Sequence, residues 1–136
     1  MAAETSRPLA PRPLSPHLGI WRWGPAMLVS ILHRITGGAL SVVGLAILVW
    51  WLSALAGGEA SYAQLVGAAG HWLGLVVLIG ISWAFFQHLL SGIRHLFTDA
   101  GQAFELDTNK TSANATVIGG ILLTVLLWGY LLGVGR

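Results

Sequence analysis

The chain contains no cysteine, so it forms no disulfide and offers no thiolate to a metal ion or an iron–sulfur cluster. Its five histidines are left as the candidate metal ligands, and a bound cofactor would have to be held through nitrogen. Charge is nearly as scarce. Only 9% of the 136 residues are Asp, Glu, Lys or Arg, against about 25% in a soluble domain. With 55% hydrophobic residues, this is the composition of an integral membrane protein whose surroundings are a lipid bilayer. Seven Lys and Arg against five Asp and Glu are too few and too scattered for a nucleic-acid footprint. No charge falls between Arg34 and Glu59 or between Ala60 and Ile93. The lack of an acidic residue inside these stretches speaks against a transporter subunit that moves protons through His88 and Arg34.

The uncharged stretches are long enough to cross a hydrocarbon core, which takes about 20 residues of helix. Spans are expected at about 26–56, 65–93 and 112–133, giving an all-α membrane protein of three transmembrane helices joined by two short loops. Pro25 suits a first helical turn, and Ser112 and Asn114 are candidate caps for the third helix. Residues 25–136 form the membrane domain. Residues 1–24 carry four of the five prolines, together with Arg7, Arg12 and Arg22, and lack an apolar run long enough for a signal-peptide core. They are expected to form an extended arm that stays with the protein. Arg7, Arg12, Arg22 and Arg34 precede or open the first span, and Arg94 and Lys110 flank the second loop. The first loop has only Glu59. By the positive-inside rule the N-terminus and the second loop face the cytoplasm or matrix. Of the seven Trp residues, Trp21, Trp23 and Trp72 are placed to anchor helices at the membrane–water interface.

Polar chemistry concentrates at two places near that inner surface. His88, Gly92 and His95 are spaced i, i+4, i+7 and share one helix stripe. Gly92 leaves a notch that a flat macrocycle or a second helix can enter. His88 lies roughly 9 Å deeper than Arg94 at 1.5 Å per residue, a depth at which an imidazole is costly unless it is used. Two uses fit: a ligand to haem iron, or a hydrogen bond across a helix interface. On the first span Ser30, His33, Arg34 and Gly37 form a second stripe at i, i+3, i+4, i+7, able to bind a carbonyl or carboxylate. Arg34 alone would be read as a side chain snorkelling to the headgroups. His71 is too far from His88 along the helix, about 25 Å, to share an iron with it, and is expected to be an interface residue. His33 is expected to lie too near the surface to match His88 in depth. A second axial ligand to a haem on His88 would then come from another chain. Small residues four apart, Gly37 with Ser41, Gly70 with Gly74 and Gly129 with Gly133, suit close helix contacts.

Arg12-Pro13-Leu14-Ser15-Pro16-His17-Leu18, Ser30-Ile31-Leu32-His33-Arg34-Ile35-Thr36-Gly37 and His88 through Gly92-Ile93-Arg94-His95-Leu96 to Asp99 together carry a resemblance. From about Arg12 to its end the chain resembles the cytochrome b subunits of succinate dehydrogenase, the larger membrane anchors of respiratory complex II. The resemblance implies a bundle completed by a second small anchor subunit, with iron–sulfur and flavoprotein subunits docked on the inner face. It implies that His88 is an axial ligand of haem b, the other axial histidine coming from the partner anchor. Ser30 and Arg34 would line a ubiquinone site, Ser30 donating a hydrogen bond to a quinone oxygen. His33, Arg34 and His95 would lie near the haem propionates, with Arg94 a further candidate. Trp21 stands where the family often has tyrosine. The spacing assigns no role to Asp99 beyond pairing with a nearby arginine. A fumarate reductase anchor fed by quinol, and an anchor without haem, are the alternative functions. The short arm points to a bacterial inner membrane before a mitochondrial one.

Overall fold

The computed structural model describes residues 23–134, and every element among them is helical. The expected arm therefore lies outside the described residues except for Trp23 and Gly24, and Trp21 and His17 fall outside as well. Three helices are long and apolar enough to cross a membrane: α1 (Pro25–Ala56), α3 (Trp72–Asp99) and α4 (Leu106–Val134). A shorter helix, α2 (Glu59–Gly70), links the first two. The chain is thus an all-α membrane protein with three membrane-crossing helices, as its composition requires.

Pro25 opens α1 at the first turn, where its missing N–H costs nothing and its fixed φ suits a helix. The carbonyl of Gly24 accepts from Met27 N and Leu28 N, both at 3.1 Å. Midway along, Leu40–Gly44 widens into a π-helical turn. Such a turn carries more residues per turn than the α-helix around it and so rotates the faces on either side relative to one another.

The second crossing differs from the expected 65–93. His71 is extended (φ −67°, ψ 149°), and its Nδ1 accepts from Leu73 N at 3.3 Å. It therefore caps α3, and the apolar run that looks continuous in sequence is split into α2 and α3. The corner is tight: a Cβ on Gly74 would collide with the Ala68 carbonyl oxygen and lie 2.9 Å from Ala69 Cα. Gly74 is used for this corner. At its far end α3 continues past the charged residues to Asp99, because charge marks where a helix leaves the hydrocarbon without stopping its hydrogen bonding. Gly101 (φ 80°) ends it: Gln102 N bonds to Phe97 O at 3.0 Å and Gly101 N to Thr98 O at 2.9 Å, the paired closure of a Schellman motif. α4 begins at Leu106, earlier than expected. Asp107 lies in its first turn, where a carboxylate is favoured by the helix dipole, and Ser112 and Asn114 lie inside the helix.

α3 is the centre of the bundle, packed most extensively on α4 and then on α1, and α1 also touches α4. The interior is small and polar. Val29, Thr36, Ala84, Gln87, Ala113 and Gly120 are buried there, while large apolar side chains such as Val42 (71% exposed) point outward. This is the inverse of a soluble core and suits a chain surrounded by lipid, where small residues bring helix backbones together. Thr36, Thr116 and Thr124 hydroxyls donate within their own helices, to Leu32 O at 2.7 Å, Ala113 O at 2.8 Å and Gly120 O at 2.7 Å. The glycines that make these contacts are Gly37, Gly119 and Gly120, whereas Gly129 has nothing within 4 Å of a built Cβ, and neither has Gly133.

Candidate functional site at the α1–α3 crossing

Gly37 determines how closely α1 and α3 meet. A Cβ there would lie 2.9 Å from His88 Cε1 and 3.3 Å from its Nδ1, so the imidazole rests on bare backbone. His88 Nδ1 is 3.1 Å from the His33 carbonyl oxygen, and Thr36 Oγ1 is 3.4 Å away. A carbonyl only accepts, so this contact is a hydrogen bond only when Nδ1 carries the proton. The neutral ring then keeps its lone pair on Nε2. A ligating histidine typically has this arrangement, its second nitrogen tied to a carbonyl that fixes tautomer and orientation.

The His33 ring stacks on His88 with centroids 4.0 Å apart and planes 4° from parallel. His95 meets His33 edge-on at 5.0 Å, and a Cβ on Gly92 would sit 3.7 Å from His33 Cε1. The expectation that His33 lies too shallow to reach the level of His88 is thus corrected. α1 and α3 run in opposite directions, so eight residues into one helix and eleven residues from the end of the other arrive at the same height. The stacking engages the face of the His88 ring and not the in-plane lone pair of its Nε2. Among the described residues no three His, Asp or Glu side chains are arranged to hold a metal ion.

Ser30 and Arg34 sit one turn apart on the same flank of α1, Ser30 half-buried and Arg34 exposed. The structure thus brings together His33, Gly37, His88, Gly92 and His95, with Ser30 and Arg34 along the edge. Arg94 is not with them. Its Nε donates to Ser112 Oγ at 3.1 Å and its Nη2 to Asn109 Oδ1 at 2.7 Å, so the guanidinium is turned onto α4. It lies two positions from Gly92 and one from His95, and successive residues on a helix point about 100° apart. In this structure the guanidinium is therefore held by α4 and not by the histidine groove. His71 is a helix cap at the opposite end of the bundle. Asp99 forms no ion pair among the described residues, where Lys110 pairs with Asp107 at 3.7 Å.

Three residues of this region carried no role in the sequence reading. Thr36 is buried beside His88, and the Gln87 amide and Ser91 hydroxyl are fully buried with no hydrogen-bond partner. Gln87 and Ser91 are i, i+4 on the face of α3 beside the histidine stripe, so a polar pair at that spacing was the available signal.

The chain matches the family model described as succinate dehydrogenase/fumarate reductase transmembrane subunit over residues 8–127. It is 43% identical to the succinate dehydrogenase cytochrome b556 subunit of Paracoccus denitrificans over 115 residues, which covers 85% of this chain and 88% of that one. It is 42% identical to the subunit of the same name from Rickettsia conorii over 117 residues, 86% of this chain and 90% of the other. It is also 36% identical to the mitochondrial cytochrome b560 subunit of Sus scrofa over 118 residues, 84% of this chain and 68% of that one.

Proposed function

Because the chain belongs to the succinate dehydrogenase/fumarate reductase transmembrane-subunit family, we propose that it co-ligates haem b in a succinate dehydrogenase complex and helps form the site of ubiquinone reduction. It is a component of that enzyme and is not catalytic alone. The observation that supports the reading most is the contact of His88 Nδ1 with the His33 carbonyl at 3.1 Å, which leaves Nε2 as the donor. His88 would then hold the haem iron from this chain, and a second small anchor subunit would supply a further histidine and complete the helix bundle. Haem b, when bound, supplies a one-electron carrier within the membrane. His33, His95 and Arg34 would bind its carboxylate groups.

Ser30 donates a hydrogen bond to a ubiquinone oxygen, and Arg34 lies beside it. A quinone taking up two electrons and two protons develops negative charge on its oxygens on the way to the quinol, and a fixed guanidinium favours that charge. Arginine stays protonated throughout, so it orients and stabilises while the protons come from water or from a histidine such as His33. The electrons arrive from an iron–sulfur subunit, itself fed by a flavoprotein subunit.

Arg34, Arg94 and Lys110 gather at one end of the bundle and Glu59 at the other, which supports a cytoplasmic N-terminus in a bacterial inner membrane. The family description also covers fumarate reductase, but the three relatives above are all named for succinate dehydrogenase, which favours the succinate-oxidising direction. That naming as cytochromes also weighs against an anchor without haem. The test is the absorption spectrum of the purified complex carrying His88→Ala. Loss of the b-type band from a complex that still contains this chain is expected, and an unchanged band overturns the ligand assignment.

A further inference from the structure

On the side of α3 turned to α4, a groove of about 410 Å³ runs between the two helices at the end of the bundle where α1 begins. Its walls are apolar, formed by Leu90, Ile93, Phe97 and Ala115. Its mouth is polar, with Gln102 and Thr108 beside Arg94 and Ser112. From Phe97 to Leu90 is seven residues, so the apolar part extends roughly 10 Å into the hydrocarbon layer. Ala103, at the mouth, holds φ 61°, a conformation in which a non-glycine residue is uncommon.

The charge of Arg94 lacks a counter-ion among the described residues. Its two hydrogen bonds go to neutral acceptors, Ser112 Oγ and Asn109 Oδ1, and the ion pair found there joins Lys110 to Asp107. A guanidinium carries five N–H donors, so three remain. The two bonds to α4 hold it in place at the head of the apolar groove.

The geometry points to an anionic phospholipid as the occupant, its phosphodiester on the free N–H groups of Arg94 and one acyl chain along Leu90, Ile93 and Ala115. The donors suit phosphate because an arginine fork binds two of its oxygens at once. The apolar walls suit a chain of methylenes, which neither free phosphate nor an acidic peptide would need. A positive pocket between membrane helices is a recognised setting for lipid headgroups. The site is separate from the histidine groove on the other flank of α3, and it stands whether or not His88 binds haem.

The test is native mass spectrometry of the detergent-purified complex containing this chain, titrated with dioleoyl phosphatidylglycerol, with dioleoyl phosphatidylcholine, and with inorganic phosphate. The wild-type complex is expected to retain phosphatidylglycerol on this subunit in preference to phosphatidylcholine, and inorganic phosphate should not displace it. Arg94→Gln should weaken retention about tenfold, the scale of a lost charge-assisted contact, while Arg94→Lys should recover part of it. Ala115→Phe fills the acyl part without touching the bonds of Arg94 to α4, and should weaken retention to a similar degree. It also decides the matter if Arg94→Gln fails to assemble. Wild-type retention in Ala115→Phe overturns the proposal, as does equal retention of phosphatidylcholine or displacement by inorganic phosphate.

Discussion

His33 and His88 are joined twice, ring on ring at 4.0 Å and carbonyl to Nδ1 at 3.1 Å, so one residue of α1 fixes both the plane and the tautomer of an imidazole on α3. The backbone carbonyl makes the second contact, which means that the side chain of residue 33 can be changed without freeing Nδ1. His33→Ala is therefore expected to keep most of the b-type haem of the purified complex, whereas His88→Ala loses it. The loss of stacking should cost about 0.5–1.5 kcal/mol, read as a lower melting temperature of the haem-bound complex. Equal loss of haem in the two variants would contradict the division of roles.

Gly37→Ala should disturb the same site from the opposite helix. The new Cβ would sit 2.9 Å from His88 Cε1, closer than such atoms approach, so either the ring or α1 must move. Overpacking of this kind costs about 1–3 kcal/mol. The expected outcome is a complex that still assembles but holds less haem or shows a shifted b-type spectrum. Gly38→Ala is the control, because nothing lies within 4 Å of a Cβ at that position. It should match the wild type.

If Ser30 and Arg34 form the proposed quinone site, substitutions there should separate quinone chemistry from succinate oxidation. On that reading Arg34→Ala would remove the guanidinium proposed to favour charge on the quinone and should lower succinate:ubiquinone reductase activity by about 100-fold, the scale seen when one stabilising donor is lost. Ser30→Ala removes a single neutral hydrogen bond and should cost less, about tenfold. Succinate oxidation by a soluble artificial acceptor, which bypasses the membrane site, should be unchanged in both. A parallel fall in the two assays would place the defect in assembly instead.

The membrane class and both histidine-bearing stripes were legible in the sequence, because spacing on a helix fixes which residues share a face. Three features were not. The break at His71 lies in an uncharged apolar run, and only its side-chain cap and the tight approach at Gly74 reveal it. The stacking of His33 on His88 depends on where two antiparallel helices cross, which no single helix encodes. Depth along α3 does not fix which way Arg94 points; its direction follows from Ser112 and Asn109 on a third helix, a tertiary choice that spacing along α3 cannot anticipate.

Ala103 is the one non-glycine residue with positive φ among those described, at 61°. The left-handed region costs an L-residue about 1–2 kcal/mol, and glycine occupies it freely. Ala103→Gly should therefore relieve strain, offset in part by the greater freedom glycine brings to the unfolded chain. A rise in melting temperature of the detergent-purified complex by a few degrees is the expected result. A fall would indicate that the Ala103 methyl group contributes packing at the α3–α4 connection that outweighs its backbone strain.

Gln87 poses the opposite problem, since its amide is fully buried with neither Nε2 nor Oε1 bonded. Gly120 on α4 makes room for it: a Cβ there would lie 3.0 Å from Gln87 Oε1 and 3.3 Å from Gln87 Cα. The second distance matters more, because a side-chain tip can swing away and a backbone cannot. Gly120→Ala should thus push α3 and α4 apart and destabilise the purified complex by about 1–3 kcal/mol. Gln87→Leu removes two unpaired polar atoms at similar volume and should be neutral or stabilising, as replacing buried unsatisfied groups by apolar ones generally is. Combining the two substitutions should leave most of the Gly120→Ala defect in place, since its source is the backbone contact. Full rescue by Gln87→Leu in a melting experiment would instead assign the strain to the amide oxygen. A loss of stability in Gln87→Leu alone would show that the amide has a partner within the membrane, such as a bound water or a group on a neighbouring subunit.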